Sequence, residues 1–183
     1  SKTRATFEVP GALTASSYPV TYTGKDATAG DRVKIANEQI QSAPGNTQHF
    51  GVSGDCGVAT ATKAADGTYT FTLQHKAVYL CFMPSMTEAG LYYDLRLDRI
   101  KVTSDNNIAG TYSFSAAGLS SNAVSDGSNS ITLRTAGSTH LQLGFPMTNT
   151  IPDVSKAAYM VIAPGQHTLK IEYVVKDQAS GVE

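Results

Sequence analysis

Apolar and polar residues alternate with a period of two along much of the chain, whereas the 3.6-residue period of an amphipathic helix is hard to find. Each alternating stretch is short and ends at Gly, Pro, Asn, Asp or Ser, which is typical of strands joined by turns. The pattern predicts about nine to eleven short strands with few or no helices, and so an all-β, antiparallel β-sandwich. The predicted strands are residues 3–9, 33–35, 69–73, 77–83, 95–97, 100–102, 108–114, 131–133, 141–145, 157–163 and 169–175.

Four segments depart from simple alternation. Residues 77–83 (AVYLCFM) are apolar on both faces, which predicts a central strand that is covered on both sides. Residues 84–93 have room for one helical turn. Residues 42–67 are a long irregular stretch, and residues 118–129 are rich in Ser, Asn and Gly, so we predict loops there.

The alternation shifts by one residue near the middle of the chain. The leucines before Asp98 occupy odd positions, whereas Ile100 and Val102 occupy even positions. A one-residue shift would turn every later side chain to the wrong face of the sheet, and a β-bulge is the usual way to absorb it. We therefore predict a bulge at Asp98-Arg99.

Residues 104–107 (SDNN) lie between two alternating stretches. Their oxygens could be part of a calcium shell, but calcium takes about seven oxygens and the EF-hand spacing with its closing Glu is absent. Asp and Asn also cap turns with their own side chains, so the sequence favours a polar turn at the tip of a β-hairpin. A second hairpin is predicted around Pro164-Gly165, the central residues of a type II turn.

Composition excludes several classes of function. The 183-residue chain is 41% hydrophobic and 16% charged, with a formal net charge of −1. That length fits one sandwich domain. The small net charge gives no long-range attraction to nucleic acid, and no apolar run reaches the length of a membrane-spanning helix. Trp is absent, and the abundance of Thr, Ser and Gly favours strands with solvated faces.

Two cysteines, Cys56 and Cys81, allow one disulfide and match no zinc-ligand spacing. The alternative is a pair of free thiols, with Cys81 buried in its strand. No basic cluster surrounds Cys56 to lower its pKa and activate it.

Other catalytic motifs are incomplete. Ser53 lies in GVSGD, but a nucleophile elbow needs Gly where Asp55 stands. The four histidines, His49, His75, His140 and His167, are isolated along the sequence and are interpreted as structural. The chain carries no P-loop lysine and no dinucleotide-binding glycine pattern. We therefore predict that the protein is not an enzyme and has no catalytic, metal or cofactor site.

Five segments follow one another in a recognisable order: AGDRVKIA at 29–36, HKAVYLCFMP at 75–84, LDRIKVTSDNNIAGTYSF at 97–114, the strand at 131–133 and AYMVIAPGQHTLKIEYVVKD at 158–177. In this order they resemble the N-terminal domain of the fimbrillin family of Bacteroidales, the subunits of type V pili. The likeness covers about two thirds of the chain. The quoted His-Lys-Ala and Ile-Ala-Gly-Thr-Tyr pieces are its most specific parts.

The resemblance implies one transthyretin-like Greek-key sandwich over residues 1–183. Residues 1–28 would be an N-terminal strand and variable segment, residues 29–183 the fimbrillin-like domain, and a C-terminal domain would be missing. It also implies an exported lipoprotein at the outer-membrane surface or in a fimbrium, whose partners are other pilin subunits joined by β-strand addition. In the family an early strand, here residues 3–9, is removed by an Arg/Lys-specific protease, and Arg4 and Arg32 are the arginines in that region.

An alternative function is a glycan-binding module on the surface of a Bacteroidales bacterium, with host or bacterial glycans or proteins as partners. Four tyrosines offer rings on which sugars can stack: Tyr18, Tyr22, Tyr92 and Tyr93. The absence of Trp weakens this hypothesis, because Trp has the largest stacking face.

Overall fold

The computed structural model describes residues 4–25, 27, 29–86, 94–135, 144–149 and 152–177. This part of the chain is an all-β protein with almost no helix, as the alternation predicts. It contains 14 strands, more than predicted, partly because several have only two residues. The strands are β1 (Ser17–Tyr22), β2 (Arg32–Ile35), β3 (Glu38–Ile40), β4 (Gly57–Lys63), β5 (Tyr69–Thr70), β6 (Gln74–His75), β7 (Val78–Phe82), β8 (Leu95–Ser104), β9 (Ala109–Ser115), β10 (Gly118–Ser128), β11 (Ser130–Arg134), β12 (Phe145–Pro146), β13 (Ala158–Ile162) and β14 (Leu169–Asp177). A one-turn helix, α1 (Phe50–Ser53), and a 3-10 turn (Val154–Lys156) lie between them.

The described strands form four sheets. Sheet A is built on β4, which pairs antiparallel with β1, β5 and β6. Sheet B has the order β10-β9-β2, and sheet D is the pair β13-β7. Sheet C is built on β8, with β14 along one side and β11 and β12 along the other, and β3 runs parallel to β11. A transthyretin-like Greek key is a finer arrangement than this pairing establishes, and it stays a prediction.

One apolar core joins sheets B, C and D. Val33 and Ile35 reach it from β2, Ile100 and Val102 from β8, and Met160 from β13. All five side chains are at most 1% exposed. The four on β2 and β8 lie on the apolar face that the period-two pattern identifies, and Met160 lies in the stretch predicted to be a buried strand. The predicted strands around residues 33–35, 100–102, 108–114, 131–133 and 157–163 are therefore confirmed.

The predicted β-bulge is present in β8. Val174 of β14 pairs with Arg99 and the next residue, Val175, pairs with Leu97, so Asp98 is the extra residue. Leu97 and Asp98 are consecutive and both buried. The bulge therefore moves the buried positions from odd residue numbers before it to even numbers after it. The Asp98 carbonyl accepts hydrogen bonds from the backbone N–H and the hydroxyl of Thr135, so the bulge has no orphaned acceptor.

Both predicted hairpins are wrong. β8 belongs to sheet C and β9 to sheet B, so residues 104–107 form a polar connection between two sheets. Likewise β13 pairs with β7 and β14 pairs with β8, so Pro164-Gly165 forms a bend between sheets D and C. The alternation of apolar and polar residues indicates which face of a strand is buried, but it does not indicate which strand pairs with it. Two strands that follow each other in the sequence can therefore belong to different sheets.

Several strand predictions also need correction. Residues 4–9 form no strand and pair with no described strand, and Phe7 and Val9 are 69% and 58% exposed. Most of the predicted loop at 118–129 is strand β10 (Gly118–Ser128), which pairs with β9 through three register shifts. The predicted irregular stretch at 42–67 contains β4, an Ala/Thr strand with little hydrophobic contrast. The predicted strand at 69–73 shortens to β5.

The run at residues 77–83 is a strand but not a central one. β7 pairs only with β13 among the described strands, and its Val78 and Cys81 are exposed. The continuous apolar run therefore belongs to one strand of a two-stranded sheet, and it does not mark a strand with neighbours on both sides. The predicted helical turn at 84–93 and the predicted strand at 141–145 fall largely outside the described residues, except that Phe145 begins β12.

Candidate functional site

Of the four tyrosines proposed for sugar stacking, the structure describes Tyr18 and Tyr22. The Tyr18 hydroxyl accepts the backbone N–H groups of Thr14 (2.9 Å) and Ala15 (3.0 Å), and its ring meets that of Tyr69 edge-on at 5.5 Å. Those hydrogen bonds lower the pKa of Tyr18. Tyr22, four residues along β1, is half-buried. Tyr18 thus anchors the N-terminal segment, and Tyr92 and Tyr93 lie outside the described residues.

The two cysteines are free thiols with opposite environments. Cys56 is buried and Cys81 is exposed on β7, so the disulfide is not formed and the predicted burial of Cys81 is wrong. Burial, with the nearby Asp55 carboxylate, raises the pKa of Cys56 to about 12. Cys56 is therefore a protonated core residue rather than a nucleophile.

The described histidines lie in three separate environments. His49 is buried, and its Nε2 lies 2.9 Å from the carbonyl of Tyr159. His167 holds a bend, with Nδ1 3.1 Å from the Ser104 hydroxyl and Nε2 3.2 Å from the Ala163 carbonyl. Ser53, of the incomplete elbow motif, is 1% exposed in α1. His140 lies outside the described residues.

Sequence reasoning missed one cluster of titratable groups, around Asp55. Its Oδ1 accepts a hydrogen bond from the Tyr79 hydroxyl and lies 2.9 Å from His75 Nδ1. The Tyr79 ring stacks on Phe50 at 4.7 Å between centroids. Burial, followed by the Asp55 hydrogen bond, raises the pKa of Tyr79, so its phenol stays protonated as the donor. The cluster ties the loop after α1 to β6 and β7.

A polar cleft of about 680 Å³ lies where three connections meet. Its walls come from residues 105–107, from residues 121–122 and 127–129 of β10 and its turn, and from residues 164–167. It contains the SDNN segment, but no group of three or more His, Cys, Asp or Glu side chains suited to a metal ion occurs among the described residues. Two of its residues, Asn106 and Gln166, are hydrogen-bonded although they lie 60 positions apart in the chain. No single stretch of sequence therefore reveals the cleft.

The sandwich also has an open side, formed by the edges of β7 and β14. Phe82 of β7 and Tyr173 of β14 meet edge-on at 6.2 Å, which brings an edge of sheet D next to an edge of sheet C. Ile171 and Tyr173 pair with Val102 and Ile100, so they point to the core face, yet they are 41% and 47% exposed. Among the described strands, none pairs with the outer side of β7 or of β14.

The corresponding edge of β13 is closed by side chains. Gln39 and Gln41, on the same face of the β3 segment, hydrogen-bond to the backbone of Val161 and Tyr159. Gln41 also donates to the Ala157 carbonyl at 3.1 Å. Two buried amides therefore occupy the place of a neighbouring strand beside β13, whereas β7 and β14 each keep one edge that no other described strand pairs with.

No family model, curated protein or solved structure matches this chain. No helix among the described residues is long and apolar enough to cross a membrane.

Proposed function

We propose that the protein is a non-catalytic subunit of a fimbrium or a cell-surface adhesion domain, and that it associates with neighbouring subunits by β-strand addition. The observation that carries the proposal is the open side of the sandwich between β7 and β14. Unpaired N–H and C=O groups along a strand edge are a template for another chain's strand. The exposed core-facing side chains beside them are a site for alternate apolar residues of that strand.

The apolar part of this site is continuous with the core. Ile171 and Tyr173 lie opposite fully buried residues of β8, and Val78 of β7 is 37% exposed. An added strand that covered these three side chains would extend the core, because apolar burial contributes about 25 cal/mol per Å². Main-chain hydrogen bonds would give affinity and the side chains would fix the register.

Residues 4–9 have the properties of a donor strand while they remain attached to the chain, that is, before the proteolytic removal that the fimbrillin resemblance implies. Ala5, Phe7 and Val9 alternate with polar residues, the segment is exposed, and it pairs with no described strand. One apolar face and free backbone groups are what the open side of another copy requires. The order of the fimbrillin-like segments supports the same class of function, with pilin subunits as partners and the exported outer-membrane surface as location.

The first experiment measures self-association by sedimentation velocity over a concentration series. Ile171→Lys places a charge on the core face of the β14 edge, a device that natural edge strands use against pairing. We expect the unmodified chain to form concentration-dependent dimers or polymers and the variant to weaken association by about tenfold or more in Kd.

The matched control is Val154→Lys, which adds the same charge at a 65% exposed apolar residue in the 3-10 turn, on neither β7 nor β14. It should associate like the unmodified chain. A chain that stays monomeric at every accessible concentration, or equal association of both variants, would count against strand addition at this side.

A further inference from the structure

We propose that the polar cleft between residues 105–107, 121–122, 127–129 and 164–167 binds a neutral saccharide. This site is separate from the tyrosines that the sequence suggested and from the strand-addition edges, because none of the residues that line it lies on β7 or β14. Saccharide binding at this cleft is therefore independent of strand addition at β7 and β14.

The side chains that line the cleft indicate which kind of ligand it can bind. Among the described residues, the lining includes Asn, Gln and Ser side chains, the imidazole of His167 and one carboxylate, that of Asp105, but no Lys or Arg. A hydrogen bond from the Thr168 backbone is the main cause that lowers the pKa of Asp105, so the carboxylate is charged. A phosphate or sulfate would meet this negative charge without a Lys or Arg beside it, and the two ring nitrogens of His167 are already engaged with the Ser104 hydroxyl and the Ala163 carbonyl. The scarcity of apolar side chains is equally unfavourable to a lipid or an aromatic ligand.

Amide side chains suit a polyhydroxylated ligand. Each amide offers an acceptor oxygen and two N–H donors, and each sugar hydroxyl both donates and accepts, so the two groups satisfy each other in pairs. Pro164 and the two lining glycines, Gly127 and Gly165, offer small surfaces against which the C–H face of a pyranose can lie.

The walls are fixed by hydrogen bonds within the protein. Asp105 Oδ1 accepts from the Thr168 backbone N–H at 3.0 Å and from the Ser104 hydroxyl at 3.1 Å. His167 uses both ring nitrogens to hold the same bend, against Ser104 and the Ala163 carbonyl. The Asn106 amide bridges Asp105 and the Gln166 carbonyl. A ligand would find this part of the cleft already arranged, which lowers the entropy that binding costs.

Other polar groups in the cleft are available to a ligand. The side chains of Ser121, Asn122 and Gln166 make no hydrogen bond to any described residue, and all three residues are exposed. Ser121 and Asn122 lie on β10 within a register shift, between Leu119 and Ala123. Asp126, next to the cleft, has φ of 53°, in the left-handed region. Bulges and left-handed non-glycine residues commonly redirect side chains at binding sites.

The test begins with a glycan array that carries neutral, sialylated and sulfated glycans, probed with the intact chain in the presence of EGTA. The strongest neutral oligosaccharide on the array is then titrated by calorimetry against Asn122→Ala and Gln166→Ala. Neither side chain has an internal hydrogen bond, so both variants should fold. Each loses one or two ligand hydrogen bonds, and we expect affinity to fall about tenfold.

The matched control is Gln74→Ala, which removes an exposed amide from β6 in sheet A. It should bind like the unmodified chain. Selective binding to neutral glycans, with loss in both cleft variants but not in the control, supports the proposal. It is overturned by an array without signal, by binding only to acidic glycans, by a requirement for calcium, or by equal affinities in all variants. Strand addition does not depend on these results, because its own test measures self-association.

Discussion

The side-chain amide of Gln39 hydrogen-bonds to both backbone groups of Val161. Its Nε2 donates to the Val161 carbonyl at 2.7 Å and its Oε1 accepts the Val161 N–H at 2.9 Å, the same exchange that two paired strands make. Both residues are buried, at 2% and 0% exposure. A single side chain thus stands in for a strand, and it joins β3 of sheet C to β13 of sheet D.

Removing this amide should destabilise the fold strongly. Gln39→Ala leaves a buried N–H and a buried C=O of Val161 without partners, and each orphaned group costs about 1–3 kcal/mol. We expect urea denaturation to show a loss of about 2–5 kcal/mol in the free energy of unfolding.

Two further variants separate hydrogen bonding from volume. Gln39→Glu keeps the size and one acceptor but has no N–H for the Val161 carbonyl when ionised, so it should also be destabilised, and less so at acidic pH where the carboxyl is protonated. Gln74→Ala, the exposed control on β6, should change stability by less than about 0.5 kcal/mol. Wild-type stability in Gln39→Ala would show that water or rearrangement satisfies Val161.

A second prediction concerns the close approach of Gly144 to the bulge in β8. A Cβ at Gly144 would overlap the Leu97 carbonyl oxygen and lie 2.6 Å from the carbonyl carbon. Backbone atoms cannot move aside as a flexible side chain can, so Gly144→Ala must displace β12 from β8. We expect a loss of at least about 2 kcal/mol in the free energy of unfolding, with urea melts as the measurement.

Gly67 provides the control for this substitution. It lies in a surface turn, and a Cβ added there would meet no atom of the described chain within 4 Å beyond its own neighbours. Its φ of 86° nevertheless makes alanine mildly strained. Gly67→Ala should therefore cost about 1 kcal/mol. If Gly144→Ala were no more harmful than Gly67→Ala, the tight contact with Leu97 would be refuted.

The two thiols should differ sharply in reactivity. Cys81 is exposed on β7, whereas Cys56 is buried with its pKa raised to about 12, so only Cys81 should react with Ellman's reagent in the folded protein. One thiol per chain is expected before denaturation and two in guanidinium. Cys81→Ser should abolish the reaction of the folded protein. Rapid reaction of both thiols would mean that Cys56 is not held in the core.

The sequence predicted the side-chain faces better than the strand neighbours. The period-two pattern identified Val33, Ile35, Ile100 and Val102 as core residues, and its shift located the bulge at Asp98, because both depend on local geometry alone. The two supposed hairpins failed because pairing depends on the whole sandwich. The polar segment EQIQ, residues 38–41, gave no sign of a buried role, since glutamine is usually exposed.

The candidate sites were harder to predict than the core. The open edges of β7 and β14 lie on stretches that look like ordinary buried or half-buried strands, and only the absence of a described neighbour distinguishes them. The polar cleft forms where three connections pack together. Asp105, Asn122 and Gln166 lie far apart in the sequence, and no sequence pattern links them. Turn residues are common to every loop, and only the fold shows which loops meet.

The last prediction concerns the pH dependence of stability through His49. Burial lowers the pKa of His49 below its usual value of 6.5. The unfolded chain then takes up a proton at a higher pH than the folded chain does, so the free energy of unfolding falls as the pH decreases through about 6.5. The His49→Gln variant keeps an N–H donor for the Tyr159 carbonyl but does not titrate.

Chemical denaturation between about pH 7.5 and pH 5 measures this contribution. The unmodified chain should lose stability more steeply with acid than His49→Gln, so the stability difference between the two proteins changes in favour of the variant as the pH falls. Gln74→Ala should keep the full pH dependence of the unmodified chain, since it removes no titrating group. Parallel curves for the unmodified chain and His49→Gln would show that the imidazole binds protons equally in the folded and unfolded states.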